Sequence, residues 1–173
     1  LCKTSLITNE EIYVAIAIGD PLPQTVFSTM TPDGPKELDS KQVFVNKRVV
    51  LFGVPGAFTP TCSAKHLPGF VKHANDIKMK GVDTIACISV NDVFVMGAWG
   101  VDQKVGEKVL LLADGSAKFA KATGLTVDST DRGMGIRCKR FLMVVEDEIV
   151  KSIKIDAPGK FENTSAESLL NEL

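Results

Sequence analysis

The run VVLFGVPGAFTPTCSAKHLPGF, Val49 to Phe70, decides how the rest of the chain is read. Its first part is apolar and rich in β-branched residues (Val49, Val50, Leu51, Phe52, Val54), which predicts a strand over Arg48–Val54 buried on both faces. Pro55 and Gly56 stop it, and Gly56-Ala57-Phe58-Thr59-Pro60 is a short loop. Thr59-Pro60 is a helix-start signal, threonine suiting the N-cap and proline the first helical position. On that register Cys62 is the third helical residue. Unpaired backbone N–H groups and the positive end of the helix dipole there both favour a thiolate. The Thr59 hydroxyl is within reach of the sulfur or of an oxygen beside it.

Working outward, a helix is expected over Thr61–Lys80, kinked at Pro68, which lacks the N–H that would bond Ala64, and ended by Gly81. Asp83–Val90 reads as a second strand. Asn91-Asp92 caps a helix reaching Gly97 or Val101. Val109–Ala113 is a third strand, Ser116–Thr123 a short helix, and Phe141–Val145 with Ile149–Ile155 an antiparallel hairpin around Glu146-Asp147-Glu148. Ser165 opens a terminal helix to Leu173. Upstream, Thr31-Pro32-Asp33-Gly34-Pro35 is a turn joining Val26–Met30 to Lys36–Leu38. Residues 1–18 form an N-terminal extension whose structure the sequence leaves open. A β-α-β-α-β series closed by a hairpin and a helix predicts an α/β protein, a central mixed sheet flanked by helices in the thioredoxin-like layout. The whole, 1–173, reads as a single domain.

With 173 residues the chain is long enough for a substantial core. Its net charge of −1, with both signs dispersed, argues against nucleic acid or an anionic membrane as partner. The longest apolar stretches, Val49–Val54 and Thr84–Val90, are too short to span a bilayer. Cysteines stand at 2, 62, 87 and 138 without a CxxC, which does not read as a disulfide framework and leads us to expect a reducing, intracellular compartment. The sequence opens on Leu1. If a targeting segment has been removed, a plastid or a mitochondrion is the expectation, and otherwise the cytoplasm.

Around Cys62 several readings stay open. His66, one helical turn on, is a base for the thiol, a metal ligand short of partners, or a structural residue. Cys87 lies mid-strand, and a disulfide to Cys62 would need Cα atoms within about 7 Å, so it reads as packing. Cys138 and Arg137 are neighbours on a strand and point to opposite faces. Arg132, Arg137, Lys139 and Arg140 each qualify as the cation for the thiolate. Rival chemistries fit less well. A dithiol oxidoreductase wants cysteine where Lys65 stands, and a phosphatase-like site wants arginine where Pro68 stands. A binding or chaperone module of the same fold predicts an unreactive Cys62.

Pro55-Gly56-Ala57-Phe58-Thr59-Pro60-Thr61-Cys62-Ser63 followed by His66-Leu67-Pro68-Gly69-Phe70 resembles the active-site signature of the peroxiredoxins, in particular the type II (peroxiredoxin-five-like) subfamily. Cys87 to Val95, Leu112 to Ser116 and Arg137 to Phe141 extend the likeness, which covers about Gly19 to Leu173. The resemblance implies a thiol-dependent peroxidase that reduces hydrogen peroxide and alkyl hydroperoxides through a cysteine sulfenic acid. Cys62 matches the peroxidatic cysteine, Thr59 the threonine that hydrogen-bonds sulfur and peroxide, Pro55 the proline that shields the thiolate, and Arg137 the arginine that stabilises it. Gly56 and Phe58 join Thr59, Cys62 and Arg137 as the residues expected around the peroxide. No metal or organic cofactor is implied, only an external thiol reductant, with glutathione and glutaredoxin ahead of thioredoxin. Thr164 stands where animal-like members carry a resolving cysteine, and Cys87 matches a cysteine of plant-like members, so one-cysteine behaviour is expected. A homodimer through the face of the active-site loop is also implied, with Phe58, Phe94 and Trp99 as candidate contacts.

Overall fold

The turn at Thr31–Gly34 joins β1 (Val26–Thr31) to β2 (Gly34–Asp39) as an antiparallel hairpin. The computed structural model describes residues 14–173. Of the expected N-terminal extension, positions 1–13, with Cys2, lie outside the described residues. The apolar run becomes β3 (Arg48–Gly53), which pairs in parallel with β4 (Thr84–Ser89), itself parallel to β5 (Leu110–Ala113). The short strands β6 (Thr126–Ser129) and β7 (Gly135–Cys138) pair with each other. The other edge of β3 is antiparallel to β8 (Phe141–Glu146), which forms a hairpin with β9 (Ile149–Ile155). The main sheet therefore runs β2-β1-β5-β4-β3-β8-β9, mixed as expected.

Side chains of a strand alternate between the faces of a sheet, and β3 divides the core accordingly. Val50, Phe52 and Val54 join one layer with Cys62, Leu67, Phe70, Cys87 and Trp99. Val49 and Leu51 join the other with Phe27, Phe44, Phe119, Cys138 and Phe141. Each such Val, Leu or Phe is worth roughly 1.5–3 kcal/mol of burial, so the strand that precedes the loop is firmly anchored. At its end Gly53 lies opposite Phe141, and a Cβ there would fall within the Phe141 ring and 3.0 Å from the Cys138 sulfur. Only glycine lets β3 and β8 meet at this point.

The helices depart from expectation in places with identifiable causes. A short helix α1 (Ser40–Phe44) was not expected, although its capping box is written in Asp39 and Gln42. Lys41 N–H donates to Asp39 and Asp39 N–H to Gln42. The helix expected as one piece over Thr61–Lys80 is divided. It begins at Pro60, widens into a π turn over Cys62–His66, continues as α2 (Leu67–Lys72), breaks at His73 and resumes as α3 (Ala74–Met79). In the π turn the Leu67 N–H donates to Cys62 O, five residues back. Pro68 has no N–H for the ladder, and the widening falls in the turn before it rather than at the proline. The helix α4 (Val93–Asp102) is capped by Asp92, which accepts from Val95 N–H at 2.9 Å. The helix α5 (Lys118–Ala122) starts late because Ala117 sits at φ 56° and Asp114 accepts from Phe119 and Ala120 N–H. The helix α6 (Ala166–Leu170) starts at Ser165, which accepts from Ser168 N–H. Among the described residues no helix is long and apolar enough to cross a membrane.

Candidate active site

The loop between β3 and the π turn is held by its own polar groups. Ala57 N–H donates to Asn91 Oδ1 at 3.0 Å, and the Ser89 hydroxyl donates to the same oxygen at 2.6 Å. Both acceptor and second donor come from the end of β4, so the neighbouring parallel strand fixes the loop. Phe58 sits at φ 62°, a conformation unfavourable for a bulky residue. Its side chain is 53% exposed, so core packing does not compel it. Thr59 behaves as an N-cap only in its backbone: its carbonyl accepts from Ser63 N–H at 3.0 Å. The expected side-chain cap is absent, because the Thr59 hydroxyl donates to Gly56 O at 2.6 Å. Pro55 is half-buried at the head of the loop and Gly56 is buried within it.

Cys62 is buried, and the guanidinium beside it belongs to Arg140. Arg140 Nη2 lies 3.4 Å from Cys62 Sγ, and Arg140 Nη1 lies 2.8 Å from His66 Nδ1. Arg137, the arginine expected there, is engaged elsewhere. Its Nε donates to Met134 O at 2.8 Å and its Nη1 to Val90 O at 3.2 Å, tying the start of β7 to the end of β4. It still borders the loop, since a Cβ on Gly56 would lie 3.4 Å from Arg137 Nη1. Strand alternation accounts for the direction of Arg140. Phe141, Met143 and Val145 face the layer away from Cys62, whereas Leu142 and Val144 face its own layer. Arg140 precedes Phe141 and so shares the parity of Leu142.

His66 is wholly buried, and its ring is fixed by partners of single polarity. Nε2 lies 2.9 Å from Thr164 O, which only accepts, so Nε2 carries the hydrogen. Nδ1 faces a guanidinium, which only donates, so Nδ1 is the lone pair. Burial, reinforced by the Arg140 charge, holds the ring neutral, its pKa lowered to about 3. The ring packs against Phe52, Phe70 and Phe161 with centroids 4.9, 5.7 and 5.0 Å away. His66 is therefore not a base for Cys62: its basic nitrogen is occupied by Arg140. As to the metal reading, no group of three or more His, Cys, Asp or Glu among the described residues could hold an ion.

The other two described cysteines are unsuited to nucleophilic attack. Burial, then the charges of Cys62 and Cys138, push the Cys87 thiol up, and burial, then Asp114 and Cys62, do the same to Cys138. Cys62, Cys87 and Cys138 are all free thiols. Of the aromatics expected at a contact face, Phe58 and Phe94 are exposed, but Trp99 is fully buried and its Nε1–H donates to Ser63 Oγ at 2.9 Å. Arg140 was one of four cations left open from the residues before the resemblance singled out Arg137; what sequence reasoning missed is His66 as the acceptor for Arg140 and Asn91 as the clamp on the loop. The parity of β8 was available as a signal for Arg140. The others depend on contacts between distant segments.

The chain has counterparts among known proteins. The Redoxin family profile matches residues 17–170. Peroxiredoxin-2E, a chloroplastic protein of Arabidopsis thaliana, is 42% identical over 166 residues, 94% of this chain and 71% of its own length. Peroxiredoxin-2B of the same plant is 42% identical over 159 residues, 91% of this chain and 98% of its own. The crystal structure of reduced Prx3 from Vibrio vulnificus in complex with hydrogen peroxide superposes with a TM-score of 0.87 at 46% identity, covering 91% of this chain and 98% of that one. The thioredoxin-like fold expected from the sequence is thus the fold observed.

Proposed function

The chain belongs to the peroxiredoxin family and is a thiol-dependent peroxidase, and from that premise we propose how its own residues perform the reaction. The Cys62 thiolate attacks the nearer oxygen of a hydroperoxide. An S–O bond forms as the O–O bond breaks, sulfur is oxidised by two electrons, and the leaving oxygen departs as water or an alcohol once it gains a proton. The product is a sulfenic acid on Cys62. The observation that carries this reading is the Arg140 guanidinium on the Cys62 sulfur. It stabilises the thiolate and then the charge that develops on the leaving oxygen. Thr59 donates its hydroxyl hydrogen to Gly56 O, so toward a bound peroxide its oxygen acts as an acceptor, selecting the protonated hydroperoxide. Pro55, Gly56 and Phe58 form the remaining wall of the loop. Arg137 braces that loop from behind, and the role expected of it passes to Arg140.

Recycling requires a thiol from outside. Cys87 and Cys138 are buried and protonated, and Thr164, in the place of a resolving cysteine, is itself buried. Glutathione with glutaredoxin is the reductant we favour, thioredoxin the second. The exposed Phe58 and Phe94 support a homodimer through the face that bears the loop. The free thiols, together with chloroplastic relatives, support a reducing intracellular compartment, the plastid among the candidates. To test the assignment, the reduced protein is mixed with a slight excess of hydrogen peroxide and mapped by mass spectrometry. Oxygen should appear on Cys62 first, and first oxidation at Cys87 or Cys138 would refute the assignment.

A further inference from the structure

Four hydrogen bonds in series lead from the Cys62 sulfur to a carboxylate just beyond β9. Arg140 Nη2 donates to Cys62 Sγ (3.4 Å), Arg140 Nη1 to His66 Nδ1 (2.8 Å), His66 Nε2 to Thr164 O (2.9 Å), and Thr164 Oγ1 to Asp156 Oδ2 (2.7 Å). Every link has one polarity only. The carboxylate and the carbonyl accept, the guanidinium donates, and the imidazole between them is left a single tautomer. Asp156, though acidic, is only 4% exposed. Besides Thr164 it accepts from Glu162 N–H at 3.2 Å, Asn163 N–H at 2.9 Å and Asn163 Nδ2 at 3.2 Å. Its own N–H donates to Arg140 O at 3.0 Å. The same residue therefore holds the backbone of Arg140 directly and its guanidinium through Thr164 and His66. Phe161, carried on the segment between them, lies with its ring centroid 5.6 Å from Arg140 Cζ.

We propose that Asp156 and Thr164 are positioning residues for the peroxidase reaction: by folding segment 156–164 so that the Thr164 carbonyl meets His66 Nε2, they aim Arg140 at the Cys62 sulfur. This rests on Arg140 serving the thiolate, as argued above. The carboxylate is held below the usual range: desolvation pushes it up, but the bonds from Thr164, Asn163 and Glu162 outweigh that, so the anchor stays charged in neutral solution. Without its hydroxyl residue 164 loses its own tie to Asp156, and only the bonds from Glu162 and Asn163 still hold the segment. The Thr164 carbonyl can then shift, and His66 with Arg140 after it, and a donor displaced by about 1 Å costs up to about a hundredfold in rate.

The test is a cycle of variants, read by the second-order rate constant with hydrogen peroxide at fixed pH and by 15N NMR of the histidine ring nitrogens. Wild-type His66 should appear as the neutral Nε2–H tautomer alone. Thr164→Val should slow the reaction about tenfold and move the His66 Nε2 resonance as its bond to the carbonyl of residue 164 loosens, whereas Thr164→Ser, which keeps the hydroxyl, should stay within about twofold of wild type. Because the effect passes through Arg140, Thr164→Val combined with Arg140→Lys should be no slower than Arg140→Lys alone. Asp156→Asn supplies the same comparison if Thr164→Val does not fold. An Nδ1–H tautomer in the wild type, a folded Thr164→Val protein at the wild-type rate, or a further independent loss in the double variant would each overturn the proposal. If Arg140→Lys is itself without effect, the role given to Arg140 fails. If Arg140→Lys slows the reaction and Thr164→Val does not, only the positioning role fails.

Discussion

Arg140 serves two acceptors at once, one amino group on His66 and the other on the Cys62 sulfur. A lysine ammonium keeps the charge but cannot span both in the same fixed fork. Arg140→Lys should therefore lower the rate of peroxide reduction by about a hundredfold, the usual cost of removing an aligned donor. Arg137→Lys should lose its bonds to Met134 O and Val90 O, cost about 1–2 kcal/mol of stability and leave the rate within about threefold. Stopped-flow oxidation and urea unfolding of the two variants separate these outcomes. His66 gives a pH signature in stability. An unfolded chain protonates this histidine below about pH 6.5, but the folded one does not until about pH 3. The unfolded state thus binds more protons between those values, and stability falls as pH falls through the window. The group alone should cost about 2–3 kcal/mol between pH 7 and pH 4.5. His66→Gln, having no proton to bind, should show a shallower decline in urea unfolding at the two pH values. An equal decline would contradict the buried neutral ring.

At the scale of elements, the site is the junction of β3, its loop and the π turn, and this was the most legible part of the sequence. Continuous β-branched residues specified β3, Pro55-Gly56 its end, and Thr59-Pro60 the helix start within a residue. What sequence reasoning missed has physical causes. The long helix widens into a π turn just before Pro68, which lacks the N–H for the ladder, and breaks again at His73, and no periodicity records either place. The β6–β7 hairpin is short and largely uncovered, so it has no alternation to read. The parity of β8 was readable, but it tells which arginine faces Cys62 only once β8 is known to lie beside β3. The close approach of those two strands makes a further prediction. Gly53→Ala would force a methyl into the Phe141 ring, next to Arg140, and should destabilise the protein by about 1–3 kcal/mol. An unchanged Tm in calorimetry would show that the strands have slack there.

For the molecule as a whole, the two-layered core buries Cys87 and Cys138, one on each side of the sheet, and among the described cysteines leaves Cys62 the thiol that meets a cation. That distribution makes the enzyme dependent on a second protein or a small thiol for each turnover. Steady-state reduction of peroxide should proceed with glutathione plus glutaredoxin and should survive Cys87→Ser. Loss of turnover in that variant would assign Cys87 a resolving role. The proposed homodimer predicts that Phe58→Ser with Phe94→Ser, which removes two exposed aromatics, shifts sedimentation toward a monomer. The central claim is that Cys62, served by Arg140, reacts with peroxide directly. Its most direct test is the rate constant for oxidation of the reduced protein by hydrogen peroxide, measured for the wild type, Cys62→Ser and Arg140→Lys. The wild type should react several orders of magnitude faster than free cysteine at the same pH, Cys62→Ser not at all, and Arg140→Lys at an intermediate rate. A wild-type rate no greater than that of free cysteine would contradict the account.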